Sequence, residues 1–180
     1  MALAAGAQMY WPVLAGATGF LYGNYPIWPF WNAGDPAWGF GDGSFTGDWV
    51  AALDNPGAHA ATIAADFFTA IDWASLIPDV RHDVVTGGFG SYGSSSYALT
   101  ATNTTHTLAV VYLSDDALSL TVALDTFAAD TVTVRWFDPS VGAFSNAPGS
   151  PFAATGTTSI SPSGFNTEGY RDWVLVLESP

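Results

Sequence analysis

The sequence predicts an α+β chain in two parts: a short α/β segment that cannot close a core alone, then an antiparallel β-sandwich. Three observations carry this. Residues up to about Val80 are rich in Ala and Trp and hold two helical patterns around one apolar run. The Gly/Ser stretch "VVTGGFGSYGSSS" follows, and after it the pattern changes to short runs of Val, Thr, Leu and aromatics. Turn signals at Asp115–Asp116, Asp138–Pro139 and Pro148–Gly149 separate those runs at short intervals.

Taken in order, "ALAAGAQMYWPVLAGATG" predicts one helix, with Pro12 kinking it or opening its last turns, and an end near Gly16 or Gly19. "GFLYG" reads as a short buried strand. A second helix begins after Pro56, puts Ile63, Phe67, Phe68, Ile71 and Trp73 on roughly one face, and ends at Pro78. Helix, strand, long loop and helix form an α/β unit. A single strand of this type leaves its faces uncovered, because such strands need parallel neighbours and helices on both sides. The first half therefore reads as the end of a larger domain. A boundary near residues 82–96, read as a flexible linker, divides 1–82 from 83–180.

In the second part, "YALTATN", "HTLAVVYLS", "LSLTVALD", "TVTVRWFD", "TSISPS" and "DWVLVLES" read as strands. Alternation in "TVTVRWF" puts Val132, Val134 and Trp136 on one face, with Trp136 in the core, and Arg135 and Phe137 on the other. Asp138 or Asp172 is expected to pair with Arg135 or Arg171.

The 180 residues include 16 acidic side chains against three arginines, Arg81, Arg135 and Arg171, and no lysine. A field of that sign repels phosphate backbones, so nucleic acid is excluded as an expected partner. It fits either a high-salt environment or an acidic secreted protein. No window holds the roughly 18 unbroken apolar residues of a membrane span, and no basic residue precedes the apolar start as in a signal peptide. Without cysteine there is neither a disulfide framework nor a thiolate metal site.

Several candidate sites reduce to ordinary chemistry. Asp35, Asp42 and Asp48 could act as paired carboxylates, and Asp42, Ser44, Thr46 and Asp48 could offer oxygens to calcium. The stretch lacks the central glycine and closing glutamate of a calcium loop, so turn-forming aspartates are expected. His59, His82 and His106 lack ligand spacing, and no metal or cofactor is expected. "GGFGSYGS" has no lysine and is not a phosphate loop. No G-x-S-x-G elbow is present.

"YWPVLAGATGFLYGNYPIW", "WVAALDNPGA" and "LIPD" resemble the last βα unit of the apiosidase-like glycoside hydrolases, which are TIM barrels. "LAVVYLS", "VRWFDPSVGAF" and "DWVLVLES" resemble the collagen-binding-like β-sandwich that follows that barrel. The resemblance implies an incomplete (β/α) barrel segment followed by an accessory sandwich, on the cell surface or outside the cell, requiring an upstream barrel portion. It places the two catalytic carboxylates before Met1, so no catalytic residue is expected here. The family's histidine before "-YG" is replaced by Phe20 or Leu21.

On that reading "GNYPIWPFW" is a loop on the active-site face. Trp28 and Trp31 would stack against sugar rings, while Tyr22 and Asn24 point polar groups into the pocket. Phe20, Phe30 and Trp38 are read as packing rings. The expected function is the C-terminal fragment of a glycoside hydrolase with a carbohydrate ligand. The alternative is a non-catalytic binding or structural module. Nothing in the sequence independently points to collagen.

Overall fold

The computed structural model describes residues 2–35, 47–114 and 119–180. Expectations on Trp38, Asp42, Ser44, Thr46 and the Asp115–Asp116 turn lie outside them. Among the described residues, three α-helices, α1 (Ala2–Leu14), α2 (Trp49–Ala52) and α3 (Pro56–Thr69), precede ten strands. These are β1 (Ile77–Pro78), β2 (Val85–Gly87), β3 (Leu99–Thr102), β4 (Leu108–Leu113), β5 (Leu120–Ala123), β6 (Thr131–Asp138), β7 (Ala143–Asn146), β8 (Phe152–Ala153), β9 (Thr157–Ile160) and β10 (Trp173–Glu178). The class is α+β with two antiparallel sheets. The larger sheet runs β1-β3-β4-β10-β6-β7, with β8 also on β6, and the smaller runs β2-β5-β9.

Strand β10 explains the arrangement. It lies between β4 and β6, with Val176 opposite both Val110 and Arg135. Its apolar run does not alternate, because both of its faces are covered. Leu175 and Leu177 join Val111, Leu113, Val134 and Trp136 in one cluster that also takes Val85, Val122 and Ile160 from the small sheet. Val174 and Val176 join Val110, Tyr112 and Phe137 in a second cluster, closed by Met9, Tyr10, Val13 and Leu14 of α1 and by Ala64, Phe67 and Phe68 of α3. The expected alternation in β6 holds, and Trp136 is buried.

Helix α1 keeps Pro12 inside it, and its last turn closes on Gly16, whose φ of +97° suits glycine. Helix α3 starts with Pro56 at its first turn. It stops before the expected Pro78. The Thr69 hydroxyl donates to the Asp66 carbonyl, and the Ala70 N–H is shared between the carbonyls of Asp66 and Phe67, which tightens and ends the last turn. Ile71 and Trp73 still pack on the helical side of the sheet, Trp73 from a 3₁₀ turn.

Two expectations fail. "GFLYG" forms no strand: Phe20 and Tyr22 pack against the helical-side cluster while Leu21 stands fully exposed, and no strand among the described residues pairs with the segment. The Gly/Ser stretch is not a loose linker. Val84 and Val85 are fully buried, and the Asp79 carboxylate accepts from the backbone N–H groups of Asp83 and Val84, both at 2.9 Å. Gly88, at φ +76°, passes so close to Ser119 that a Cβ would lie 1.7 Å from its carbonyl oxygen. No helix among the described residues is long and apolar enough to cross a membrane.

Candidate functional site

The aromatic segment leaves α1 at Gly16, crosses the N-terminal end of α3 and turns back. Asn24 anchors the turn: its backbone carbonyl accepts from Ile27 N–H at 3.0 Å and Trp28 N–H at 3.1 Å. Trp31 N–H then donates to the Pro26 carbonyl at 3.0 Å, and Trp49 N–H donates to the Trp31 carbonyl at 2.9 Å, tying the turn to α2. Pro26 and Pro29 lack N–H groups and suit a turn rather than a ladder. Phe30 sits at φ +53°, uncommon for a bulky residue and a marker of backbone constraint.

This geometry sorts the four named residues. Trp28 is 75% exposed, with the Tyr25 ring 6.4 Å away at 51°. Trp31 is half-buried. Tyr22 is half-buried and lies close over α3 at Gly57, where a Cβ would sit 2.7 Å from the Tyr22 hydroxyl oxygen. Asn24 contributes through its backbone. Of the four, Trp28 is thus the ring most open to solvent. Sequence reasoning passed over Tyr25, although its three-residue spacing from Trp28 across Pro26 was the available signal. Phe20 packs as expected, whereas Phe30 is 64% exposed and meets Trp49 edge-on at 5.3 Å. Its positive φ turns it away from the core.

The aspartates of the following loop behave as turn residues where described. Asp48 caps α2, accepting from Ala51 N–H at 2.7 Å, and Asp35 accepts from Asn32 N–H at 2.8 Å. Among the described residues no group of three acidic, His or Cys side chains could hold a metal ion. His59 is exposed on α3, His82 stacks on Phe89 at 3.9 Å, and His106 lies in the β3–β4 turn.

Among the described residues, both arginines of the second half take other partners. Arg135 pairs with Glu178 and lies 4.4 Å over Phe144, while Arg171 lies 5.0 Å over Phe165. The pleat puts Arg135 and Asp138 on opposite faces of β6, and Arg135 reaches diagonally to Glu178 of β10, whose direct partner is Thr133. Asp138 instead accepts from the N–H and hydroxyl of both Ser140 and Thr167. Burial alone would raise its carboxyl, but these hydrogen bonds outweigh burial and hold it below the ordinary range. Asp172 accepts from Asn166 at 2.9 Å and Tyr112 at 3.3 Å.

Residues 83–178 match the family described as "Putative collagen-binding domain of a collagenase", and residues 5–75 match "Apiosidase-like, catalytic domain". A solved structure titled "Glycoside hydrolase" superposes with a TM-score of 0.80 at 19% identity, covering 99% of this chain and 37% of the other. A glycoside hydrolase family 5 protein from Bacteroides vulgatus gives 0.78 at 21%, covering 99% and 36%. The chain thus spans about a third of those structures' length, and at these identities the likeness shows the fold. No curated protein matches the sequence.

Proposed function

We propose, for a chain that belongs to this collagen-binding-domain family and carries the end of an apiosidase-like catalytic domain before it, that it is the C-terminal part of a glycoside hydrolase. Residues 1–82 are the last segment of a (β/α) barrel, and residues 83–180 are an accessory β-sandwich that braces α1 and α3. The catalytic carboxylates belong to the upstream portion, so this segment alone does not hydrolyse glycosides. Its contribution to the sugar pocket is a wall formed by Tyr22, Asn24, Trp28 and Trp31. The protein acts outside the cell or at its surface.

The observation that carries this reading is the exposed Trp28 ring on a turn fixed by the Asn24 and Pro26 carbonyls. A flat ring open to solvent on a hydrogen-bonded turn suits the C–H face of a sugar, and tryptophan has only about two side-chain torsions to fix when it stacks. Fully exposed Leu21 supports the same reading, since it occupies the place of a barrel strand whose neighbours lie upstream. The test is Trp28→Ala in the full-length protein with an oligosaccharide substrate. A rise in KM of about tenfold, from losing a stacking contact worth about 0.5–1.5 kcal/mol plus its buried area, is expected. Unchanged affinity would remove Trp28 from the wall.

A further inference from the structure

An open cleft that shares no residue with the aromatic turn lies between the end of α1 and the loop before β3. Its volume is about 600 Å³, within the range of about 300–1,000 Å³ for small-molecule sites. One side is apolar, formed by Trp11 and Pro12 of α1, Ala15 just after it, and Leu99 of β3. The other side is the loop, which brings Tyr92, Ser95 and Tyr97. That loop is closed on itself. The Ser91 carbonyl accepts from the Ser94 N–H at 3.0 Å and from the Ser94 hydroxyl at 2.7 Å, and the Ala98 N–H donates to the Phe89 carbonyl at 2.8 Å. Phe89 at 6.4 Å and His82 at 6.5 Å grip the Tyr97 ring edge-on, and Tyr92 meets it edge-on at 5.6 Å.

Both tyrosines keep hydroxyls that a ligand can reach. Tyr92 is 90% exposed. Among the described residues neither hydroxyl has a hydrogen-bond partner, and that of Tyr97, unlike that of Tyr10, is not sealed from solvent. Burial, then Tyr92 and Asp79, raise the Tyr97 phenol above its ordinary value, so it stays a donor. No described residue of the lining is charged. A cation therefore finds no carboxylate there, and an anion is repelled by a chain whose net charge is -13. A wholly apolar ligand would strip water from two phenols without replacing their hydrogen bonds. A neutral polyol satisfies both sides, with its C–H face on the apolar wall and its hydroxyls on the phenols.

We propose that this cleft is a carbohydrate site separate from the aromatic turn, taking a short run of a neutral oligosaccharide that stacks on Tyr92 and bonds the Tyr97 hydroxyl. The choice of a sugar among polyols rests on the glycoside hydrolase reading. A second hold on one glycan raises the effective concentration of its remaining units at the turn. The test is saturation-transfer NMR on the full-length protein, in the cold so that turnover is slow. Cellotetraose, xylotetraose and mannotetraose are the neutral probes, tetragalacturonate the anionic probe and a polyproline peptide the peptide probe. Wild type is compared with Trp28→Ala, and with the Trp28→Ala chain carrying Tyr92→Ala or Tyr97→Phe as well. Tyr92→Ala removes an exposed ring and Tyr97→Phe a single oxygen, so neither disturbs folding.

The expected result is that a neutral tetrasaccharide still binds to Trp28→Ala, and binds about tenfold more weakly once either tyrosine substitution is added. Absence of binding to Trp28→Ala by all three neutral probes, or unchanged affinity on adding either tyrosine substitution, overturns the site. Binding of tetragalacturonate or polyproline that is lost with Tyr92→Ala, without any response to the neutral probes, overturns the ligand class. The two sites fail separately. Wild-type binding that vanishes in Trp28→Ala would leave the aromatic wall standing without the cleft. Equal binding by wild type and Trp28→Ala, lost on adding Tyr92→Ala, would keep the cleft and remove Trp28 from the wall.

Discussion

Gly57→Ala separates the aromatic wall from ordinary packing. Gly57 is the second residue of α3, where alanine is favoured over glycine by up to about 1 kcal/mol. Against this, the new Cβ would lie 2.7 Å from both Cε2 and the hydroxyl oxygen of Tyr22 and 3.0 Å from Cζ. Ordinary carbon contacts are about 3.5–4.0 Å, so the ring must withdraw by about 1 Å. The atoms struck are the far end of a half-exposed side chain, which places the cost near the low end of the roughly 1–3 kcal/mol of overpacking. The two terms nearly cancel, and the melting temperature of the full-length protein should move by no more than about 2–4 °C. Sugar handling should change more, because a displacement of about 1 Å at a positioning group can cost up to about 100-fold in rate. The assay is kcat/KM on an oligosaccharide beside a calorimetric melt, with Tyr22→Phe as the control for the hydroxyl. A raised melting temperature with unchanged kcat/KM in both variants would refute the reasoning.

Asp138→Asn keeps shape but turns an amide toward donors from Ser140 and Thr167, and should cost about 1.5–3 kcal/mol at pH 7 by urea unfolding. The Asp138 carboxyl is held below its unfolded value, near 3.9. Its stabilisation is therefore full above about pH 4 and lost as pH falls through the lower folded value, so the gap between variant and wild type should shrink by pH 2.5; a constant gap would contradict the linkage. Gly88→Ala forces a Cβ against the Ser119 carbonyl at positive φ and should cost about 3 kcal/mol or more, a fall of about 6–12 °C in melting temperature; a fall under about 2 °C would mean that the backbone at Gly88 relaxes. Leu21→Ser with Val50→Ser, both exposed here, should reduce self-association of the isolated 180-residue chain in light scattering. Equal self-association would place the sticky surface elsewhere.

The central strands were legible because "LAVVYLS" and "DWVLVLES" are continuous apolar runs whose short length and valine content favour strands covered on both faces. Short β1, β7 and β8 were not. Each is two to four residues with at least one exposed position, so pairing rather than composition makes them strands. "GFLYG" has the right alternation, but a ladder depends on neighbours that the segment does not contain. Val84 and Val85 were hidden by the glycines after them, and their burial depends on Asp79 and the facing β5. At the site, Pro26 and Pro29 made the turn readable and with it the exposure of Trp28. The Tyr22–Gly57 contact was not readable, since it exists only once α3 docks. Nothing in the sequence singled out Tyr10, whose stacking on Tyr112 exists only once α1 docks on the large sheet.

The most direct test of the account is a crystal structure of the full-length protein with a bound oligosaccharide. The account predicts a sugar ring within about 4 Å of the Trp28 face and a neighbouring barrel strand paired along residues 19–23, covering Leu21. A bound sugar remote from residues 22–31, with Leu21 still in solvent, would contradict it.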